Sequence, residues 1–163
     1  MQTNDIQALI DAALALETDD DNQAVIEAFE RLVVQYPDHP LVVFEMGGAY
    51  DSGGREGDAL TYYQKALALG LPEDRMPSLH VQMGSTQRNC GLYDAAVQTL
   101  RTGVARYPED RGLRAFLALA LFSAGQTGDA LAEMIEMTVD TPDFYPKYRR
   151  SLRAYAGDLR GKK

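Results

Sequence analysis

The stretch GGAYDSGGREGDALTYYQKAL, residues 47–67, contains the spacing that decides the fold. A small residue, Gly47, is followed twelve positions later by another, Ala59, and four positions after that by the bulky Tyr63. Gly54 lies between them, where a left-handed glycine would end one helix before the next begins. The stretch therefore predicts two helices joined by a tight turn, with close contact where the small residues lie.

The same spacing recurs three more times along the chain. The first small position is Ala13, Gly84 and Ala118, the second compact position is Val25, Ala96 and Ala130, and the bulky position is Phe29, Leu100 and Met134. Successive first positions lie 34, 37 and 34 residues apart, a period typical of stacked helical hairpins. We therefore predict hairpins at about 5–36, 39–70, 76–107 and 110–140. A single helix at about 144–160 is expected to cap the last apolar face.

These hairpins resemble the tetratricopeptide repeat family. The matching positions are Gly47, Ala49, Tyr50, Gly54, Ala59 and Tyr63 in the second hairpin, Gly84, Gly91, Tyr93, Ala96 and Pro108 in the third, Ala120, Gly125, Ala130 and Pro142 in the fourth, and Phe29 and Pro37 in the first. The chain also resembles a small bacterial subgroup of this family of unknown ligand. The resemblance implies an all-α superhelix, or solenoid, of four hairpins plus a capping helix in one domain spanning residues 1–163. It also implies an adaptor role in protein binding.

Composition is typical of a folded protein, with 45% hydrophobic and 25% charged residues. The longest apolar run, residues 115–122, is far short of the roughly 20 residues that span a bilayer. No basic segment precedes the first apolar residues, and a single cysteine cannot form an intramolecular disulfide. These features predict a cytoplasmic protein without a membrane partner.

Charge is distributed unevenly. Residues 147–163 contain seven basic residues and one acidic residue, a charge of +6, whereas the preceding residues carry −14. An acidic body disfavours nucleic-acid binding, because phosphate contacts need a basic surface. The split does suggest an alternative function as a self-associating assembly protein. In that alternative, the basic C-terminal helix of one copy would dock on the acidic body of another and form a homo-oligomer.

Few residues are suited to catalysis or metal binding. His80 lies ten residues before Cys90 on one predicted helix, about 15 Å away and too far to act as its base. The position of Cys90 before a turn glycine instead predicts a small apolar packing residue. His39 and His80 fall in different hairpins and lack the spacing of a zinc site. We expect no catalytic residue, no metal and no cofactor, and thus a protein that is not an enzyme.

The resemblance also implies where a partner would bind, because the first helix of each hairpin, helix A, lines the concave surface in this family. The groove residues predicted from this helix are Phe44, Gly48, Asp51, Val81, Ser85, Arg88, Asn89, Leu119, Phe122, Arg149 and Arg153. Such a groove suits an extended or helical peptide with apolar anchors. Arg88, Arg149 and Arg153 are expected to hold its acidic groups, although the last two could equally serve only to solubilise the cap.

Overall fold

The computed structural model describes residues 3–18 and 22–161, and this part of the chain contains nine α-helices and no strand. The helices are α1 (Thr3–Leu14), α2 (Gln23–Gln35), α3 (Pro40–Ser52), α4 (Glu56–Leu69), α5 (Met76–Asn89), α6 (Tyr93–Arg106), α7 (Arg111–Ser123), α8 (Thr127–Val139) and α9 (Pro146–Leu159). A short 3-10 turn, Glu73–Arg75, precedes α5. Consecutive helices pack in pairs, which confirms the predicted all-α hairpin fold.

The chain forms two compact units, one ending at Leu79 and one beginning at His80, so the boundary falls inside α5. In the first unit, α3 and α4 pack together around Phe44, Met46 and Tyr63, which are all fully or almost fully buried. In the second unit, α6, α7 and α8 surround a buried cluster. Its members are Ala96, Val97, Leu100, Leu113, Leu117, Ala120, Leu121 and Ala130.

The turns inside three hairpins have the predicted left-handed glycines. Gly54, Gly91 and Gly125 have φ of 72°, 75° and 75°. The residue after each glycine donates its backbone N–H to the carbonyl five residues earlier, as Leu92 does to Gln87 over 2.8 Å. This bond satisfies a carbonyl that the helix end leaves free, so the glycine both reverses the chain and closes the helix.

The small residues permit close approach of the two helices in a hairpin. A Cβ atom on Gly47 would lie 2.6 Å from Cε1 of Tyr63, and one on Gly84 would lie 2.5 Å from Cγ of Leu100. Real Cβ atoms do not approach that closely, so each bulky side chain occupies the space that the glycine leaves. The predicted pairing of small and bulky positions is therefore confirmed at both sites.

Charged side chains hold α9 against α8 in the second unit. The buried Glu133 of α8 accepts from Arg114 of α7 at 2.6 Å and from Arg160, the residue after α9, at 2.9 Å. Arg160 also pairs with Glu136, and Ala156 supplies the buried apolar contact of α9. Ala156 is the one fully buried residue of α9, and ion pairs with Glu133 and Glu136 join the C-terminal end of this helix to α8.

One packing prediction for the third hairpin is wrong. Cys90 is exposed rather than a buried filler, because the helix ends there and the chain turns at Gly91. Tyr93 is exposed at the first position of α6, and the buried face of that helix begins at Ala96. Among the described residues, no helix combines the length and apolar character needed to cross a membrane.

Candidate functional site: an open pocket between α7 and α8

An apolar pocket of about 540 Å³ lies between α7 and α8 in the second unit. Each helix contributes four residues at positions i, i+3, i+4 and i+7, which fall on one helix face. The lining residues are Ala115, Ala118, Leu119 and Phe122 of α7 and Thr127, Ala130, Leu131 and Met134 of α8. Thr127 supplies the only hydroxyl among them.

The large side chains of this pocket are open to solvent. Leu119, Phe122, Leu131 and Met134 have exposed fractions between 41% and 66%. Single exposed apolar residues are common on protein surfaces, but a contiguous group of four is typical of a binding site. The pocket contains no charged side chain in its lining and therefore suits an apolar partner surface.

The preceding hairpin explains why the pocket is open. Val97 and Leu100 of α6 lie 34 residues before Leu131 and Met134, yet their exposed fractions are only 3% and 0%. They are covered because Leu113 and Leu117 of the next helix, α7, join the same buried cluster. A helix that follows in register thus closes the α6 face.

Helix α9 does not close the α8 face in the same way. Its residues 34 positions after Leu113 and Leu117 are Lys147 and Ser151, and both are exposed. Burying a lysine without a partner costs more than the contact would return. Helix α9 instead packs against α8 through Ala156 and its ion pairs, so the pocket stays uncovered.

Arginine side chains at this end of the unit make hydrogen bonds to Asp140 and Thr141. Arg153 donates to Asp140 at 2.7 Å, and this hydrogen bond lowers the pKa of the Asp140 carboxyl. Arg114 also donates to Asp140, at 3.2 Å. Arg149 donates to the backbone carbonyl of Thr141 at 3.2 Å. The predicted acid-binding role of Arg149 and Arg153 stays a prediction, and in the structure each guanidinium makes a hydrogen bond within the chain.

Of the predicted groove residues in the second unit, Leu119 and Phe122 lie together in the pocket. Val81, Ser85 and Arg88 are half-buried on α5, and Asn89 is exposed at its last turn. Arg88 donates to the Oδ1 atom of Asn89 at 3.0 Å, so these two residues form one polar patch.

In the first unit, the prediction for Phe44 is wrong. Phe44 is buried, its ring lies 6.0 Å from that of Tyr63, and the guanidinium of Arg75 lies 5.9 Å from its centroid. Arg75 also pairs with Glu45, whose pKa is raised by burial. Phe44 thus belongs to the core, whereas Gly48 and Asp51 of the same helix are half-buried.

Sequence reasoning missed the α8 side of the pocket. Leu131 and Met134 match repeat positions that are buried in the preceding hairpin, so the pattern assigned them to packing. The signal that could have found them lies in α9. Lys147 and Ser151 occupy positions where a covering helix needs apolar side chains.

The structure brings no catalytic or metal-binding set together within residues 3–18 and 22–161. No three histidine, cysteine, aspartate or glutamate side chains in this part are arranged to hold a metal ion. His80 is buried, and burial lowers its pKa, whereas Cys90 is exposed at the end of α5. The apolar pocket can bind a side chain, but its lining offers no acid, base or nucleophile beyond the Thr127 hydroxyl.

Comparisons with known proteins agree with this fold. The family model described as a tetratrico peptide repeat matches residues 40–159. A structure of MamA from Desulfovibrio magneticus RS-1 is 18% identical, with a TM-score of 0.71 over 99% of this chain and 94% of the other. An O-GlcNAc transferase from Thermobaculum terrenum is 20% identical, with a TM-score of 0.63 over 97% of this chain but only 27% of the transferase. At these identities the likeness concerns the fold alone, and no curated protein matches the sequence.

Proposed function

Because the chain belongs to the tetratricopeptide repeat family, we propose that it is a non-enzymatic module that binds a peptide or partner protein. The binding surface is the helix-A face of the second unit, with Leu119 and Phe122 of α7 as its apolar centre. Helical repeats of this kind usually act through such surfaces rather than through a catalytic centre.

The observation that carries this proposal is the open pocket between α7 and α8. Four large apolar side chains are 41–66% exposed there, and burial of the exposed part of each would contribute roughly 0.6–2 kcal/mol. Part of that gain offsets the lost freedom of the two partners, and the remainder stabilises a complex. Apolar centres of this kind carry much of the binding energy in protein interfaces.

The equivalent face of α6 is covered by a helix, which favours a helical partner segment over an extended one. Such a segment would place apolar residues at i, i+4 and i+7 into the pocket. On α5, Val81 and Ser85 would extend the contact, and Arg88 with Asn89 would bind an acidic or amide group of the partner. In the first unit, Gly48 and Asp51 stay predicted partner contacts of the helix-A face of that unit.

Site-specific photo-crosslinking tests the proposal. Benzoylphenylalanine in place of Phe122 is expected to form an adduct with the partner in native lysate, and the change Leu131→Glu should abolish that adduct. The same probe at Val34 of α2, which is 84% exposed, serves as the control for random collisions. Adducts equally abundant from both positions would contradict a binding site at the pocket.

A second candidate function is self-association. The charge of +6 in residues 147–163 against −14 in the rest of the chain favours contact between copies. Two of these basic residues, Lys162 and Lys163, lie outside the described residues.

A further inference from the structure

Helix α9 exposes an apolar stripe of its own. Tyr148, Leu152, Tyr155 and Leu159 follow each other at intervals of four, three and four residues, which places them on one helix face. The rings of Tyr148 and Tyr155 are 53% and 60% exposed, Leu159 is exposed and Leu152 is half-buried. A soluble capping helix needs no such stripe, because a cap normally presents a polar outer face.

The two tyrosines of this stripe lie away from the side of α9 that contacts α8. Ala156 on the contacting side lies about 100° around the helix from Tyr155. Leu152 and Leu159 border that side, and a Cβ atom on Gly128 of α8 would lie 2.6 Å from the carbonyl oxygen of Leu159. The ion pairs of Arg160 with Glu133 and Glu136 hold that side in place. Tyr148 and Tyr155 therefore stay exposed while α9 remains docked on its own α8.

The stripe and the pocket match in chemistry and in dimension. From Tyr148 to Leu159 the stripe runs eleven residues, roughly 16 Å along the helix. Each wall of the pocket runs seven residues, roughly 10 Å, so the pocket can receive the central part of the stripe. Tyrosine suits this contact, because its ring can be buried in an apolar pocket while its hydroxyl stays at the rim.

The basic C-terminal end of one copy and the acidic remainder of the other have opposite charges. The stripe belongs to the basic end of the chain, with Lys147 and Arg150 exposed beside it. Residues 80–146, which contain the pocket, have five basic and eight acidic residues, a charge of −3, whereas residues 1–79 have four basic and fifteen acidic residues, a charge of −11. Attraction between the basic end of one copy and the acidic body of another brings the two together and speeds their association.

We infer that the pocket between α7 and α8 receives the apolar stripe of α9 from a second copy of this chain. The occupant is a second copy because the α9 of the same copy is held on another face of α8 by Arg153 and Arg160. This inference rests on the proposed binding role of the pocket and names its partner.

Sedimentation velocity of the full chain over a range of concentrations tests the inference. The pocket variant carries Phe122→Glu and Leu131→Glu, and the stripe variant carries Tyr148→Glu and Tyr155→Glu. All four positions are more than half exposed, so folding should be retained, which circular dichroism checks. Val34→Glu, at an apolar position of the first unit that is 84% exposed, is the control.

We expect the wild-type chain and Val34→Glu to exceed the monomer mass increasingly with concentration. The pocket variant and the stripe variant should each associate at least about tenfold more weakly. An equimolar mixture of the two variants should recover a complex of two chains, because an intact stripe then meets an intact pocket.

Two outcomes would overturn the inference. One is a wild-type chain that stays monomeric at every concentration, and the other is a stripe variant that associates as strongly as the wild type. If the wild type is monomeric while the Phe122 probe captures a different protein, the binding role of the pocket stands and only its occupant is wrong. If neither association nor a Phe122 adduct is found, both proposals fail.

Discussion

Helices α6 and α8 occupy the same position in successive hairpins, yet one face is closed and the other is open. Val97 and Leu100 of α6 are buried, whereas Leu131 and Met134, each 34 residues later, are exposed. Their side chains are similarly apolar, so the residues themselves do not explain the difference. What differs is the following helix, since α7 offers leucines where α9 has Lys147 and Ser151.

Whether an apolar helix face is buried in a repeat array therefore depends on the helix that follows it. A helix face that is core in one hairpin becomes a binding surface in the next when the covering helix lacks matching apolar residues. A binding site at the last hairpin can thus arise without any new residue in that hairpin.

The largest expected effect comes from truncating the bulky side chain in each hairpin. Leu100→Ala should lower the free energy of unfolding by about 2–5 kcal/mol, because it leaves a cavity in a closed core. Met134→Ala should lower it by less than about 1 kcal/mol, since the side chain is already partly in water. Urea denaturation followed by circular dichroism measures both, and equal losses would mean that the α8 face is covered as well.

The stability of the protein should respond differently to a larger side chain at the two small positions, Gly84 and Ala118. Gly84→Leu should cost about 1–3 kcal/mol, because even its Cβ would overlap Leu100. Ala118→Leu should cost less than Gly84→Leu, since Ala118 is buried but lines the pocket, into which the new side chain can extend. Thermal melting compares the two variants, and a Gly84→Leu melting curve identical to that of the parent would refute the repeat register.

The stability of the contact between α9 and α8 should depend more on the buried ion pairs than on the exposed one. Arg160→Met should cost about 1–2 kcal/mol, because it removes charged hydrogen bonds to the buried Glu133. Arg153→Met should cost less than about 1 kcal/mol, since the pair with Asp140 is largely exposed. Amide hydrogen exchange in α9 reports both changes, and faster exchange in Arg153→Met than in Arg160→Met would contradict this order.

The smallest expected effect is a pH dependence of stability that arises in the third hairpin alone, because only that hairpin has a buried histidine at this position. His80 in the closed hairpin aligns with Arg114 in the open one, and burial lowers the pKa of the imidazole below its ordinary 6.5. Folding favours the neutral imidazole. The contribution of His80 to the free energy of unfolding is therefore complete above pH 6.5 and is lost as the pH falls from 6.5 through the folded pKa. His80→Gln should weaken this loss of stability in urea titrations between pH 8 and 5.

The change His39→Gln is the control for that titration, because it removes the other imidazole of the chain. If His80→Gln and the wild type lose stability in parallel over this range, the buried imidazole is not responsible for the loss.

The sequence predicted half of the candidate site. Leu119 and Phe122 follow from their positions on helix A, since helical spacing determines which residues share a face. Leu131 and Met134 could not be identified from the repeat pattern, because that pattern is the same for a covered and an uncovered face. Phe44 was wrongly placed on the surface, because the sequence does not reveal that Tyr63 and Arg75 lie against it.

The amino-acid sequence by itself determined the helices, the turns and the close contacts within hairpins. Left-handed turns at Gly54, Gly91 and Gly125 and the missing side chain of Gly84 are local requirements, so a local pattern reveals them. Tertiary structure alone decided which α8 face stays open and which arginines are engaged. Those outcomes depend on how α9 rotates onto α8, where the ion pairs of Arg160 and the contact of Ala156 stabilise a docking that leaves the pocket uncovered.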